Sequence, residues 1–114
     1  MEPELFYNYK HAPTHLFVPE ATYMLTAGTY KKQKLLNSYD KKMSVIKSLK
    51  NVSEKNNWLT IAWVVLDNHY HIMVKTPDNI YFSISDFVRN LHKQIAWNIN
   101  RIDNKRGRRV MENY

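Results

Sequence analysis

The sequence predicts an α+β domain on the ferredoxin-like plan, β-α-β-β-α with a fourth strand begun at the C-terminus. Three observations predict it. Apolar residues recur at helical spacing in two separate stretches. A period-two run rich in Thr and Tyr precedes the first of them. Between the two stretches lie an unbroken apolar run and a second alternating run, joined by Asp67-Asn68. The helices are expected on one face of an antiparallel sheet.

Composition bounds the answer. At 114 residues the chain is one domain. Apolar residues make up 44% and aromatics 13%, enough for a core, which excludes wholesale disorder. The absence of cysteine excludes a disulfide scaffold, a Cys-ligated zinc and a thiol nucleophile. No stretch approaches the ~18 apolar residues of a membrane span. Met1-Glu2-Pro3-Glu4 has neither the basic start nor the apolar run of a signal peptide, so a cytoplasmic location and no membrane partner are expected. The 17 Lys and Arg against 10 Asp and Glu leave a charge of +7. That surplus points to an anionic partner, of which nucleic acid is the commonest.

Residues 1–20 hold Pro3, Pro13 and Pro19 and read as an extended arm; residues 21–114 read as the domain. Ala21–Tyr30 alternates as a strand, with Gly28 suggesting a bulge or a close backbone approach. Lys31, Lys32 and Lys34 form a basic loop. Asp40 is expected to cap a helix running to about Asn57, with Met43, Ile46, Leu49 and Val52 inward and Lys41, Lys42, Lys47, Lys50 and Lys55 in water. Leu59–Leu66 reads as a buried strand with Trp63 in the core. Asp67-Asn68 makes the turn into a strand over His69–Lys75, ended by Thr76-Pro77-Asp78-Asn79. Ser83 or Ser85 caps the second helix, whose stripe is Ile84, Phe87, Val88, Leu91, Ile95, Ile99 and Ile102; His92 and Trp97 fall off it. Asp103–Arg109 breaks the helix, and Val110–Tyr114 opens the fourth strand.

His69-Tyr70-His71 is the informative triplet. Residues two apart on a strand share a face, so the two imidazoles stand side by side and Tyr70 faces away. Two neutral imidazoles on one face make half a site for a divalent cation. A chance pair of surface histidines is the plain alternative. The third strand is central in the expected order, where histidines are costly unless paired, ligated or placed in a cleft.

Ala62-Trp63-Val64-Val65-Leu66-Asp67-Asn68-His69-Tyr70-His71-Ile72-Met73-Val74 resembles the His-hydrophobe-His strand of the HUH single-tyrosine transposases. Within them the chain is most similar to the transposase-like proteins associated with repetitive extragenic palindromes. His11–Phe17 followed by Thr22–Tyr30 resembles that family's opening arm and first strand. Leu91-His92-Lys93 through Asn104, then Gly107-Arg108-Arg109-Val110, resembles its second helix and following loop. The resemblance runs from about residue 11 to the end of the chain. It implies binding of hairpins in single-stranded DNA and Mg²⁺ or Mn²⁺ held by His69 and His71. It also implies a tyrosine hydroxyl that attacks the scissile phosphate to leave a 5′-phosphotyrosine. Homodimers built by joining sheets are implied as well.

One motif departs from the family. Its nucleophile lies in a pattern resembling Tyr-x-x-x-Asn-Pro on a later helix, and this sequence has none. Tyr70 points away from the metal face, Tyr81 precedes the second helix, and Tyr114, the remaining candidate nucleophile, belongs to the fourth strand. The chain therefore reads as the metal-binding part of a transposase, expected to bind DNA without cleaving it. A two-histidine ligand set leaves most of a magnesium shell to water, so metal affinity is expected to be low.

The DNA-binding candidates fall into groups: Lys31, Lys32 and Lys34; Arg89 and Lys93 on the second helix; and Arg101, Lys105, Arg106, Arg108 and Arg109 around its end. Trp97 is the tryptophan expected to stack on a base or meet a second copy. Two other classes stay open on the residues alone. One is a non-catalytic ferredoxin-like nucleic-acid-binding module. The other is a two-histidine metal hydrolase, which needs acids such as Asp67, Asp78 or Asp86.

Overall fold

The computed structural model describes residues 21–77 and 83–112. The expected arm (residues 1–20), Asp78, Tyr81 and Tyr114 lie outside them. The elements follow the predicted order: β1 Thr22–Gly28, a short 3₁₀ turn Tyr30–Lys32, α1 Tyr39–Lys55, β2 Leu59–Val65, β3 His69–Lys75 and α2 Ile84–Ile102. The sheet order is β1-β3-β2, with both neighbours antiparallel to β3. β1 and β2 therefore run parallel with β3 between them, which is the split βαβ arrangement.

Strand parity builds the core. Tyr23 and Leu25 on β1 and Tyr70, Ile72 and Val74 on β3 turn inward, against Val45, Leu49 and Val52 of α1 and Phe87, Val88, Leu91, Ile95 and Ile99 of α2. Trp58 stacks on Phe87 with ring centroids 4.5 Å apart and planes within 4°. Both helices thus cover one face of the sheet. The other face carries Thr22, Met24, Thr26 and Gly28 beside His69, His71, Met73 and Lys75, and then Ala62 and Val64.

The helix ends have identifiable chemistry. Ser38, not Asp40, caps α1, its Oγ accepting from the Lys41 N–H; Asp40 lies inside the first turn. Ser83 caps α2, accepting from the Asp86 N–H. Asn57 and Asn104 follow the two C-caps at φ 60° and 55°. The next residues, Trp58 and Lys105, donate back to the carbonyls of Ser53 and Asn100.

Four expectations are corrected. β2 is not buried: it is an edge strand, and Trp63 is 49% exposed because nothing described packs beyond it. The bulge falls in β2 between Thr60 and Ala62, not at Gly28, where a Cβ would meet only an ordinary contact at 3.7 Å. Lys41 and Lys42 are not simply solvated, since they pair with Asp103 and Asp67. The fourth strand is represented by a single antiparallel bridge, Thr29 to Met111, with Glu112 N–H donating to the Gly28 carbonyl.

Candidate metal and nucleic-acid site

β3 is the central strand, and its parity sends His69 and His71 to the face opposite the helices. Their rings meet edge-on, with centroids 5.0 Å apart and planes at 88°. Each Nδ1 has a neighbour. Thr26, directly across β1 from His71, places its Oγ1 2.8 Å from His71 Nδ1. Asn68 places Oδ1 2.8 Å from His69 Nδ1. The Asn68 amide is oriented from behind, its Nδ2 donating to the Lys32 carbonyl at 3.3 Å. An amide oxygen only accepts, so His69 carries its proton on Nδ1 and its lone pair on Nε2. In the tautomer whose Nδ1–H donates to the threonine oxygen, His71 likewise offers a lone pair at Nε2.

This is how ligating histidines are usually oriented by the groups behind them. The pair fits part of a divalent cation's shell. Among the described residues no group of three or more His, Cys, Asp or Glu side chains gathers to hold a metal. The other positions would fall to water or to phosphate oxygens, and nitrogen donors suit Mn²⁺ better than Mg²⁺.

The turn after β1 frames one end of the pair. Gly28 stands opposite His69, and the Thr29 N–H donates to the Asn68 carbonyl at 3.0 Å. Lys31 and Lys32 adopt left-handed backbone angles, φ 53° and 57°. With Lys34 they are exposed, and Lys34 helps hold the Asp67 carboxyl below its ordinary range, chiefly the work of the hydrogen bond from Lys42.

The remaining candidate cations divide among three places. Arg89, Lys93 and Arg109 come together in a groove of about 590 Å³ between α2 and the start of the fourth strand. Arg89 is anchored to Asp86, whose carboxyl it pulls down, and Arg109 to Glu112. The Arg109 guanidinium also lies 4.6 Å from the Tyr30 ring centroid. Arg101 lines a second groove, between α1 and α2. Lys105 and Arg106 are exposed in the loop after α2. Arg108 is held inside the fold, donating to Asn100 Oδ1 at 2.9 Å and to Asp103 Oδ2 at 2.7 Å. Burial raises the Asp103 pKa, but hydrogen bonds from Lys41 and Arg108 outweigh it and leave the carboxyl below its ordinary range.

His92 departs from the surface position expected for it. It lies one helical turn after Val88, on the flank of the stripe, and its Nε2 accepts from the Tyr70 hydroxyl at 2.7 Å. Burial pushes its pKa down to about 4, against a smaller upward pull from the Glu112 backbone. The i+4 spacing from Val88 is the sequence signal for it. For Thr26 and Asn68 the signal is cross-strand register, which needs the sheet to be known.

A split βαβ sheet covered by two helices on one face makes this a ferredoxin-like α+β domain with a paired-histidine central strand. The chain belongs to the IS200-like transposase family, whose profile matches residues 17–114. Its fold is similar to a REP-associated tyrosine transposase solved with a REP hairpin: TM-score 0.64, 18% identity, 87% of this chain and 55% of that one. It is also similar to a protein from Deinococcus radiodurans R1 described as a transposase: TM-score 0.60, 21% identity, 75% of this chain and 64% of the other. The chain thus spans less than two thirds of either structure's length. No curated protein sequence matches it. Among the described residues no helix is long and apolar enough to cross a membrane.

Proposed function

We propose that this transposase-family chain binds single-stranded hairpin DNA, with a Mg²⁺ or Mn²⁺ ion held at His69 and His71. The observation that carries the reading is the paired, half-buried imidazoles on the sheet face opposite the helices, each with its Nδ1 engaged, beside a turn bearing three exposed lysines. When bound, the ion supplies Lewis-acid polarisation of a phosphate oxygen. Thr26 and Asn68 orient the two rings. Lys31, Lys32 and Lys34 attract the strand and neutralise flanking phosphates. A homodimer formed along the free edge of β2 belongs to the same reading.

We place strand cleavage and rejoining through a 5′-phosphotyrosine in the parent enzymes, and binding alone in these 114 residues. Of the described tyrosines, Tyr23 and Tyr70 turn into the helix layer, Tyr30 lies beneath Arg109, and Tyr39 stands on α1. None is on the histidine face. The test mixes the protein with labelled hairpin DNA and Mn²⁺ and resolves each sample under native and denaturing conditions. A salt-sensitive native shift with no denaturant-resistant adduct is expected. A covalent adduct overturns the assignment of binding alone, and Tyr81 and Tyr114 become the first tyrosines to replace. Failure to bind at low salt overturns the whole reading.

A further inference from the structure

The groove between the two helices has no part in the histidine face. It encloses about 580 Å³ and is lined by Tyr39, Met43, Ser44 and Lys47 of α1 and by Arg101 and Ile102 of α2, with Asp40 and Asn98 completing it. That volume is within the range of pockets that hold small organic ligands. One aromatic lines it and is exposed, Tyr39 at 76%; a second, Trp97 at 63%, stands just outside it, next to the lining residue Arg101. A large aromatic left in water on a charged helix surface is not explained by packing, because α2 faces the core with its opposite stripe, buried from Ile84 to Ile99. The Arg101 guanidinium lies 5.2 Å from the Trp97 ring centroid, one helical turn away, so a flat cation and a flat π face are already aligned.

The groove is also preformed. Asn98 Nδ2 donates to Ser48 Oγ at 3.1 Å, and Lys41 pairs with Asp103 at 2.7 Å, so α1 and α2 are tied across it. Ser44 Oγ, in its lining, is buried without a hydrogen-bond partner among the described residues. Lys47 and Arg101 outnumber Asp40 along its walls.

We infer that this helix-side groove, with the Trp97 face beside it, is a second contact for single-stranded nucleic acid: Tyr39 and Trp97 stack on unpaired bases, and Lys47 and Arg101 take the adjoining phosphates. Aromatic platforms beside cations bind single strands with little sequence preference, because every base has a π face. The inference rests on the nucleic-acid reading above. It adds that the strand engages the side of the sheet opposite the histidines.

The experiment uses a 12-nucleotide oligo(dT) in which thymines are replaced by 5-iodouracil, without metal. Affinity is read by anisotropy, and the crosslinked residue by mass spectrometry. A crosslink at Trp97 or Tyr39 is expected, and Trp97→Ala should weaken binding roughly tenfold. Trp97→Phe should recover most of that loss. Lys55→Ala, at an exposed position on the far end of α1 from the groove, should leave the metal-free affinity within about twofold. Thermal unfolding of each variant controls for folding. Wild-type binding that Trp97→Ala does not weaken, or crosslinks confined to the histidine face, overturns the helix-side site while the parent reading stands. A Trp97→Ala variant that changes the scattering mass and not the affinity overturns it in favour of a contact between copies. No binding of the oligonucleotide by the wild-type protein overturns the helix-side site, and the parent reading falls with it only if hairpin DNA with Mn²⁺ also fails to bind at low salt.

Discussion

The Tyr70 hydroxyl donates to Nε2 of His92 across 2.7 Å, joining the central strand to α2 beneath the sheet face that carries the histidine pair. Tyr70 is fully buried, and its neighbours in sequence point the other way. The one residue between the candidate ligands is therefore a core anchor, and movement of β3 would disturb both layers. His92 is neutral at pH 7, its pKa depressed by burial to about 4.

Stability should consequently fall with acid in a defined window. The unfolded chain takes up a proton at His92 near its ordinary value of about 6.5, whereas the folded chain does so only near 4. The contribution is complete above about pH 6.5 and is lost as pH falls towards 4, reaching about 3 kcal/mol. Urea midpoints measured at pH 7 and at pH 4.5 should separate in the wild-type protein. In His92→Gln, which keeps an acceptor for Tyr70, the separation should shrink. An unchanged separation would show that His92 does not govern this window.

Metal binding should depend on the partners of the histidines as well as on the histidines. His69→Ala and His71→Ala should each abolish measurable Mn²⁺ binding in a spin-resonance titration. Thr26→Val removes the group behind His71 and should weaken it roughly tenfold, while Thr26→Ser retains most of the affinity. The ring ¹⁵N shifts give a second readout, because Thr26→Val should also alter the tautomer balance of His71 without metal. Equal affinity in Thr26→Val and wild-type protein would remove Thr26 from any positioning role.

The plan of the fold was legible because two stripes and two alternating runs carry it. The inward apolar residues of α2, from Ile84 to Ile99, are those the spacing selects, but Ile102, which it also selects, is 46% exposed because it lies at the helix's last turn, on the groove between α1 and α2. The exposure of β2 was not legible. Leu59–Leu66 reads as a core strand because an apolar run has the same composition whether another strand or a partner covers its edge; only the order β1-β3-β2 distinguishes them. The side-by-side placement of His69 and His71 follows from strand period alone. Their orientation does not, because Thr26 is 45 residues from His71 in sequence and meets it only through register. The basic residues around 105–109 look alike in sequence, yet Arg108 folds back onto Asn100 and Asp103 while Lys105 and Arg106 face solvent.

That division separates stability from binding. Arg108 and Asn100 exchange two hydrogen bonds, Nε to Oδ1 at 2.9 Å and Nδ2 to the Arg108 carbonyl at 2.8 Å. Arg108→Ala leaves Asn100 Oδ1 and the Asp103 carboxylate short of a donor and should cost about 1–3 kcal/mol. Lys105→Ala and Arg106→Ala should change stability by less than about 0.5 kcal/mol. If these two contact phosphates, each substitution should flatten the salt dependence of DNA binding by roughly one unit of log–log slope. Parallel denaturant and salt titrations of the three variants check the division, and a destabilised Lys105→Ala or a fully stable Arg108→Ala would contradict it.

The edge of β2 makes the last prediction. Soluble proteins guard exposed edge strands with lysine, proline or a covering loop. Residues 59–66 carry no charge and no proline, while Leu59, Ile61, Trp63 and Val64 are 61%, 46%, 49% and 45% exposed. The bulge between Thr60 and Ala62 bends the strand and leaves residues 62–65 as its regular stretch. An antiparallel pairing of that stretch with its copy is self-complementary about a two-fold axis, and it would join two three-stranded sheets into one. Light scattering at tens of micromolar should give twice the 13.7 kDa chain mass. Val64→Lys puts a charge on this edge strand without touching the helix-side core, and should return the protein to monomer with its unfolding midpoint little changed. A wild-type monomer at high concentration would rule out the pairing. A Val64→Lys dimer would move the contact to another surface, with Trp97 the next residue to replace.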